Sequence, residues 1–220
     1  MADLFDAAAM YDEDYLYFFA APGGRTQFAA HGPVVPGAGT PAGAAADLAW
    51  RLLDLAPGLR VLDLACGHGE LAGALAARGC AVTGLDSSAA FLDRARADAA
   101  AAGVSVEYVA GDMRELPWAA RFDRVVSWST AFGYFDDDVN RAVLDQIARV
   151  LRPGGRFEAE RTVIRDGRAR KLTFVKRLFG FPELRDWLLA AGFTAVAGYG
   201  EDGQPLNAGH QRMVIVATRP

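Results

Sequence analysis

The stretch Val61-Leu62-Asp63-Leu64-Ala65-Cys66-Gly67-His68-Gly69-Glu70 constrains this chain more than any other. A short apolar run meets glycines at alternate positions, and a helix-forming run, Glu70 to Arg78, follows at once. A strand that turns into a helix through glycines presents backbone amides at the helix N-terminus, and a ligand can lie against the main chain there. Similar units follow. Strands are predicted at Arg60 to Ala65, Ala81 to Asp86, Val106 to Ala110, Phe122 to Trp128 and Arg156 to Glu158. Helices are predicted at Glu70 to Arg78, at Ser88 to Ala102, and over the run that places Val139, Val143, Ile147 and Val150 on one face. Gly79 and Gly103 stop the first two helices and Pro153-Gly154-Gly155 the third. Such alternation implies a doubly wound α/β architecture, a mostly parallel sheet covered on both faces.

The flanks read differently. Residues 1–20 are aromatic and acidic, with Tyr11, Tyr15, Tyr17, Phe18 and Phe19 close together, and residues 21–39 form a Gly/Pro-rich loop. Together, residues 1–39 are expected to be a cap on a main domain spanning 40–220. That domain opens with Thr40-Pro41, an N-cap followed by proline at the first helical position, and continues with Leu48, Leu52 and Leu55 at helical spacing. Further on, Asp166-Gly167 between Thr162-Val163-Ile164 and Leu172-Thr173-Phe174 predicts an antiparallel hairpin, an insertion over about residues 161–178 after the fifth strand. A helix at Pro182 to Ala191, stopped by Gly192, and strands at Phe193 to Tyr199 and Gln211 to Thr218 complete the reading.

Composition narrows the function. The 220 residues are 52% hydrophobic and 23% charged, a globular balance. A net charge of −4 and a pI near 5.4 give no long-range attraction for a polyanion. The basic run Arg168-Ala169-Arg170-Lys171 reads as a solvated hairpin strand. No secretory leader or membrane-spanning run is recognised, so the expected location is cytoplasmic, with no membrane partner. Cys66 and Cys80 fall at opposite ends of neighbouring parallel strands, beyond disulfide reach, and are expected to be free thiols.

Parallel α/β sheets bind ligands at the carboxyl ends of their strands. Gly67, Gly69 and Ala72 satisfy the G-x-G-x-x-A fingerprint, and Asp86, about 20 residues on, stands where an acid that binds ribose hydroxyls is expected. That pattern serves dinucleotides and other adenosine ligands alike. Asp63, inside the first strand, would crowd a pyrophosphate but could help to hold the ammonium of a methionine tail, which favours S-adenosylmethionine. A carboxylate satisfied by nearby backbone amides is the alternative for Asp63.

Asp63-Leu64-Ala65-Cys66-Gly67-His68-Gly69 resembles the glycine-rich first motif of class I S-adenosylmethionine-dependent methyltransferases. Leu85-Asp86 resembles the family's ribose-binding acid, Gly111-Asp112-Met113 its adenine-binding segment, Phe122 to Ser127 its fourth strand, and Leu151-Arg152-Pro153-Gly154-Gly155 the turn before its fifth. The resemblance implies a seven-stranded Rossmann-like methyltransferase fold. It implies S-adenosyl-L-methionine as cofactor, with S-adenosyl-L-homocysteine as product, held by Asp63, Ala65, Cys66, Gly67, Gly69, Asp86, Ser87, Asp112, Met113, Trp128 and Tyr15. The stretch from Ser127 to Phe135 resembles small-molecule enzymes, including N-methyltransferases of amino sugars and other natural products, rather than nucleic-acid enzymes. The connection Glu158-Ala159-Glu160-Arg161-Thr162 is shorter than the lid-forming segment usual in such relatives, so either the lid is short or an internal segment is omitted.

The expected function is therefore methyl transfer to a small-molecule acceptor, an amine by preference, with Tyr11, Tyr17 and Phe132 beside the reacting groups and no metal. Alternatives are O-methylation of a hydroxyl compound, a nicotinamide-dependent oxidoreductase, or a catalytically silent cofactor-binding protein. His31 and His210 are the candidate bases should one be needed, and His68 serves the turn. Asp136-Asp137-Asp138 reads as a helix cap in preference to a metal site. A homo-oligomer is left open, and nucleic acid is not expected as a partner.

Overall fold

Successive residues of the central strands pack into two different hydrophobic groups. Val61, Val126, Val214 and Val216 join one group, while Leu62, Leu64, Val125, Ile215 and Ala217 join the other. This is the period-two alternation of a sheet buried on both faces. The computed structural model describes residues 41–128, 131–162 and 179–220. In chain order they form α1 (Pro41–Leu52), β1 (Arg60–Leu64), α2 (Glu70–Ala77), β2 (Ala81–Asp86), α3 (Ala89–Ala101), β3 (Glu107–Ala110), β4 (Phe122–Ser127), α4 (Asp137–Val150), β5 (Leu151–Thr162), α5 (Phe181–Ala190), β6 (Thr194–Tyr199) and β7 (Arg212–Thr218).

The strands form one seven-stranded sheet in the order β3-β2-β1-β4-β5-β7-β6. β1 to β5 pair in parallel, and β7 lies antiparallel between β5 and β6. Helices α1 and α2 supply Leu48, Leu52, Leu71 and Leu75 to the first hydrophobic group, and α4 and α5 supply Val143, Ile147, Leu184 and Leu188 to the second. This is the doubly wound, mostly parallel architecture read from the sequence. The strand order reverses between β1 and β4, so the crevice at their carboxyl ends is the topological switch point where such folds bind ligands.

Helix starts follow local chemistry. Ser88 Oγ accepts the Phe91 N–H at 3.3 Å to cap α3, and Asp136 accepts the Val139 N–H at 2.9 Å to cap α4. Asp137 and Asp138 fill the first turn of α4, where acids complement the helix dipole. The acidic run is thus a cap.

Two expectations need revision. The fifth strand begins at Leu151, directly after α4, and not at Arg156. Its register slips between the pairs Phe122–Leu151 and Arg124–Arg156. Pro153-Gly154-Gly155 occupies that irregularity, where Pro costs no ladder bond and the Gly154 N–H donates to Arg219 O at 2.9 Å. Trp128 falls just past the end of β4. The hairpin turn at Asp166-Gly167, the basic run at 168–171 and the whole 1–39 segment lie outside the described residues. Cys66 and Cys80 are both free thiols. Among the described residues no helix is long and apolar enough to cross a membrane.

Candidate functional site

The carboxyl ends of β1 and β2 bring two carboxylates and the glycine turn together. Asp63 lies beside Gly84 of β2 and Val126 of β4 and is only 2% exposed. It accepts a hydrogen bond from the Ala72 N–H in the first turn of α2, while its Oδ2 has no hydrogen-bond partner among the described residues. Burial, then the Asp86 charge, push its pKa up to about 7, against the pull of the Ala72 amide. A buried carboxylate with an unsatisfied oxygen fits a cationic group, because a cation offsets both terms. The backbone-amide alternative accounts for only part of Asp63.

Asp86 closes the other side. Its Oδ2 accepts the Gly67 N–H at 2.8 Å and its Oδ1 the Ser88 N–H at 2.9 Å, with a further bond from the Ser87 amide. Burial raises its pKa, and these amides and His68 oppose the rise. Ser87 itself has an exposed side chain. The acid therefore ties the glycine turn to the end of β2.

The turn is compact because three of its residues are left-handed: Ala65 at φ 58°, Gly67 at φ 55° and Gly69 at φ 80°. Its ends are pinned by the Cys66 N–H to Leu85 O and the Gly69 N–H to Cys66 O, both at 3.0 Å. His68 stays within the turn, its Nε2 3.3 Å from Glu70 Oε1.

The two glycines differ in what surrounds them. A Cβ on Gly67 would meet only Phe91 Cδ2, at 3.8 Å, whereas one on Gly69 would overlap the Tyr108 hydroxyl and stand 2.9 Å from Ala95 Cβ. Gly67→Ala is therefore expected to cost ligand-free stability about 1 kcal/mol, from backbone strain alone, and Gly69→Ala about 2–4 kcal/mol. Denaturant unfolding of the two variants checks this ordering; equal losses would contradict it.

Beyond β3, Gly111 is tied to β2 by its N–H to Asp86 O at 3.0 Å. Asp112 is engaged by a neighbour that the sequence reading passed over. Arg114 Nε lies 3.0 Å from both Asp112 oxygens, its Nη2 2.7 Å from Oδ2, and its backbone N–H donates to Oδ1 at 2.8 Å. Partial burial would raise the Asp112 pKa, but the Arg114 bonds and charge outweigh it and lower the value. The guanidinium also lies 4.8 Å from the Phe135 ring centroid. Met113 is half-buried against the group that includes α4 and α5.

The segment after β4 does not form one lining. Trp128 packs with the α1 and α2 group, whereas Phe132 and Phe135 pack with the α4 and α5 group. The Phe132 ring lies 5.5 Å from Phe179, which in turn meets Trp187 edge-on at 5.0 Å. Two fully buried groups here also went unnoticed in the sequence: Ser127 Oγ and Asn140 Oδ1, each without a hydrogen-bond partner among the described residues. His210 belongs to the β6–β7 loop. Its Nδ1 accepts the Asn207 N–H at 3.1 Å and its Nε2 lies 3.2 Å from Asp202, so it staples that loop. Tyr11, Tyr15, Tyr17 and His31 lie outside the described residues.

Residues 61–155 match the family model described as a methyltransferase domain. A demethylmenaquinone methyltransferase of Thermus thermophilus is 39% identical over 121 residues, covering 51% of this chain and 53% of the relative. A ubiquinone biosynthesis O-methyltransferase of Chelativorans sp. is 34% identical over 99 residues, covering 44% and 38%. The chain spans about half the length, or less, of the curated relatives it matches. Among solved structures, a TehB-like SAM-dependent methyltransferase of Corynebacterium glutamicum superposes with a TM-score of 0.64 at 23% identity, covering 80% of this chain and 88% of that one. The fold is that of S-adenosylmethionine-dependent methyltransferases.

Proposed function

We propose that this chain is an S-adenosylmethionine-dependent methyltransferase acting on a small molecule, with an amine as the preferred acceptor. The observation that carries the reading is the Asp63–glycine turn–Asp86 arrangement at the switch point, inside the stretch that matches a methyltransferase domain. A nicotinamide dinucleotide would set its pyrophosphate near the Asp63 carboxylate; a methionine tail sets an ammonium there. The residues proposed to hold the cofactor are Asp63, Gly67, Gly69 and Asp86, with Ala65, Cys66 and Ser87 in the same turns and Asp112 and Met113 after β3.

When bound, the cofactor supplies an electrophilic methyl group on a sulfonium. What the chain must add is alignment of the acceptor and exclusion of water, and no covalent intermediate is required. Phe132 follows β4 and packs on the α4 side, and an aromatic face of this kind attracts a cationic guest; the Phe135 ring is already engaged by the Arg114 guanidinium. Tyr11, Tyr15 and Tyr17 are proposed to close the pocket from the N-terminal cap, with Tyr11, Tyr17 and Phe132 beside the reacting groups. O-methylation is the second reading, and the Chelativorans relative named as an O-methyltransferase favours it.

Calorimetry against S-adenosylhomocysteine and NAD tests the cofactor, and a labelled-methyl screen of small amines and hydroxyl compounds tests the acceptor. Binding of S-adenosylhomocysteine alone and transfer to a small amine are expected. Binding of NAD alone would overturn the cofactor assignment. Transfer confined to tRNA, DNA or protein would overturn the acceptor class.

A further inference from the structure

Asp63, Gly84 and Tyr108 are register partners across β1, β2 and β3, so they form one row on one face of the sheet. Tyr108 packs there with the α1 and α2 group. Gly84 adds no side chain to the row, and the Tyr108 ring and the Cys66 thiol take its place: a Cβ on Gly84 would stand 2.9 Å from both Cys66 Sγ and Tyr108 Cδ1 and 3.0 Å from Tyr108 Cε1. The ring then continues toward β1. A Cβ on Gly69 would lie 2.9 Å from Tyr108 Cζ and would overlap the hydroxyl. A side chain rooted on β3 thus ends against the N-cap of α2, two strands away.

We propose that Tyr108 is a positioning residue for the cofactor site: its ring, lying over Gly84, sets the height of the turn at Gly69 and so aims the N-terminus of α2, while Asp86 holds the Gly67 amide. The inference rests on the cofactor reading proposed above. The turn needs such a brace for two reasons. Gly67 and Gly69 have the greatest backbone freedom of any residue type, and the N-cap Gly69 has no side chain to cap its own helix. Asp86 holds the turn at Gly67 and His68 reaches Glu70 and Phe91, but Gly69 itself has no side chain and takes its position from what lies against it; displacement of a binding group by about 1 Å can cost up to about a hundredfold.

The test is calorimetric titration of S-adenosylhomocysteine into the unmodified protein, Tyr108→Phe and Tyr108→Leu, with amide exchange at Gly67 and Gly69 measured in each ligand-free protein. Tyr108→Leu is expected to weaken binding by about tenfold or more and to speed exchange at the Gly69 amide more than at the Gly67 amide, which Asp86 holds. Tyr108→Phe, which keeps the ring, should stay within about threefold of the unmodified protein. Equal affinities and exchange rates in all three proteins would overturn the inference while leaving the cofactor reading intact. A Tyr108→Phe as weak as Tyr108→Leu would also overturn it, since the ring would not be the brace. Failure of the unmodified protein to bind S-adenosylhomocysteine would instead sink the cofactor reading, and the exchange comparison would still decide whether Tyr108 holds the turn. Should Tyr108→Leu not fold, Tyr108→Met, which fills more of the ring's volume without its flat face, is expected to show the same loss, and unchanged affinity there would count against the brace.

Discussion

Asp86→Ala is expected to lower affinity for S-adenosylhomocysteine by about ten- to a hundredfold while leaving the sheet folded. Two losses combine. The proposed acceptor of the ribose hydroxyls goes, and removal of a buried acceptor from donors costs about 1–3 kcal/mol. The Gly67 N–H, held by Asp86 at 2.8 Å, loses its partner as well, so the glycine turn is less well aimed. Asp86→Asn should rescue little. Each Asp86 oxygen accepts from a main-chain N–H, and an asparagine must set its own NH2 group against one of those donors. Calorimetric titration of both variants, with circular dichroism to confirm folding, measures the effect. Unchanged affinity in folded Asp86→Ala would remove Asp86 from the site.

The parallel core was readable because a strand buried on both faces is a nearly continuous apolar run, and its neighbours repeat the signal at regular intervals. Asp63 and Asp86 were readable because each ends or interrupts such a run just where the sheet meets its ligands. Other features depend on register, which sequence spacing does not carry. Tyr108 reads as one more β3 residue until Gly84 is seen to lie beside it. Arg114 stands two residues after Asp112, but only the turn at that point folds it back onto the carboxylate. The separation of Trp128 from Phe132 was hidden for the same reason: past Ser127 the chain leaves the strand, and alternation no longer tells which face a side chain joins. Pro153-Gly154-Gly155 misled in the opposite direction. It reads as a break between elements, whereas the structure absorbs it as an irregularity within β5.

Cofactor affinity should also depend on pH through Asp63. In the ligand-free protein this carboxyl has a pKa raised from 3.8 to about 7 by burial and by the Asp86 charge. Between about pH 4 and pH 7 the folded protein therefore holds a proton that the unfolded chain has lost. Stability falls as pH rises through that window, by an amount on the order of a few kcal/mol, and levels off above it. A cofactor ammonium beside Asp63 reverses the preference, because an adjacent cation stabilises the ionised form. Binding at pH 6 should then expel a proton, and affinity for S-adenosylhomocysteine should rise with pH until about 7. Calorimetry at pH 6 in two buffers of different ionisation enthalpy reads the proton directly, and Asp63→Asn should abolish its release and weaken binding. Because Asp86 contributes to the shift, the two carboxylates titrate as a coupled pair, and the midpoint of the affinity curve should move to lower pH in Asp86→Ala. An affinity that stays flat from pH 5 to pH 8, with no buffer dependence of the binding heat, would mean that no cation approaches Asp63.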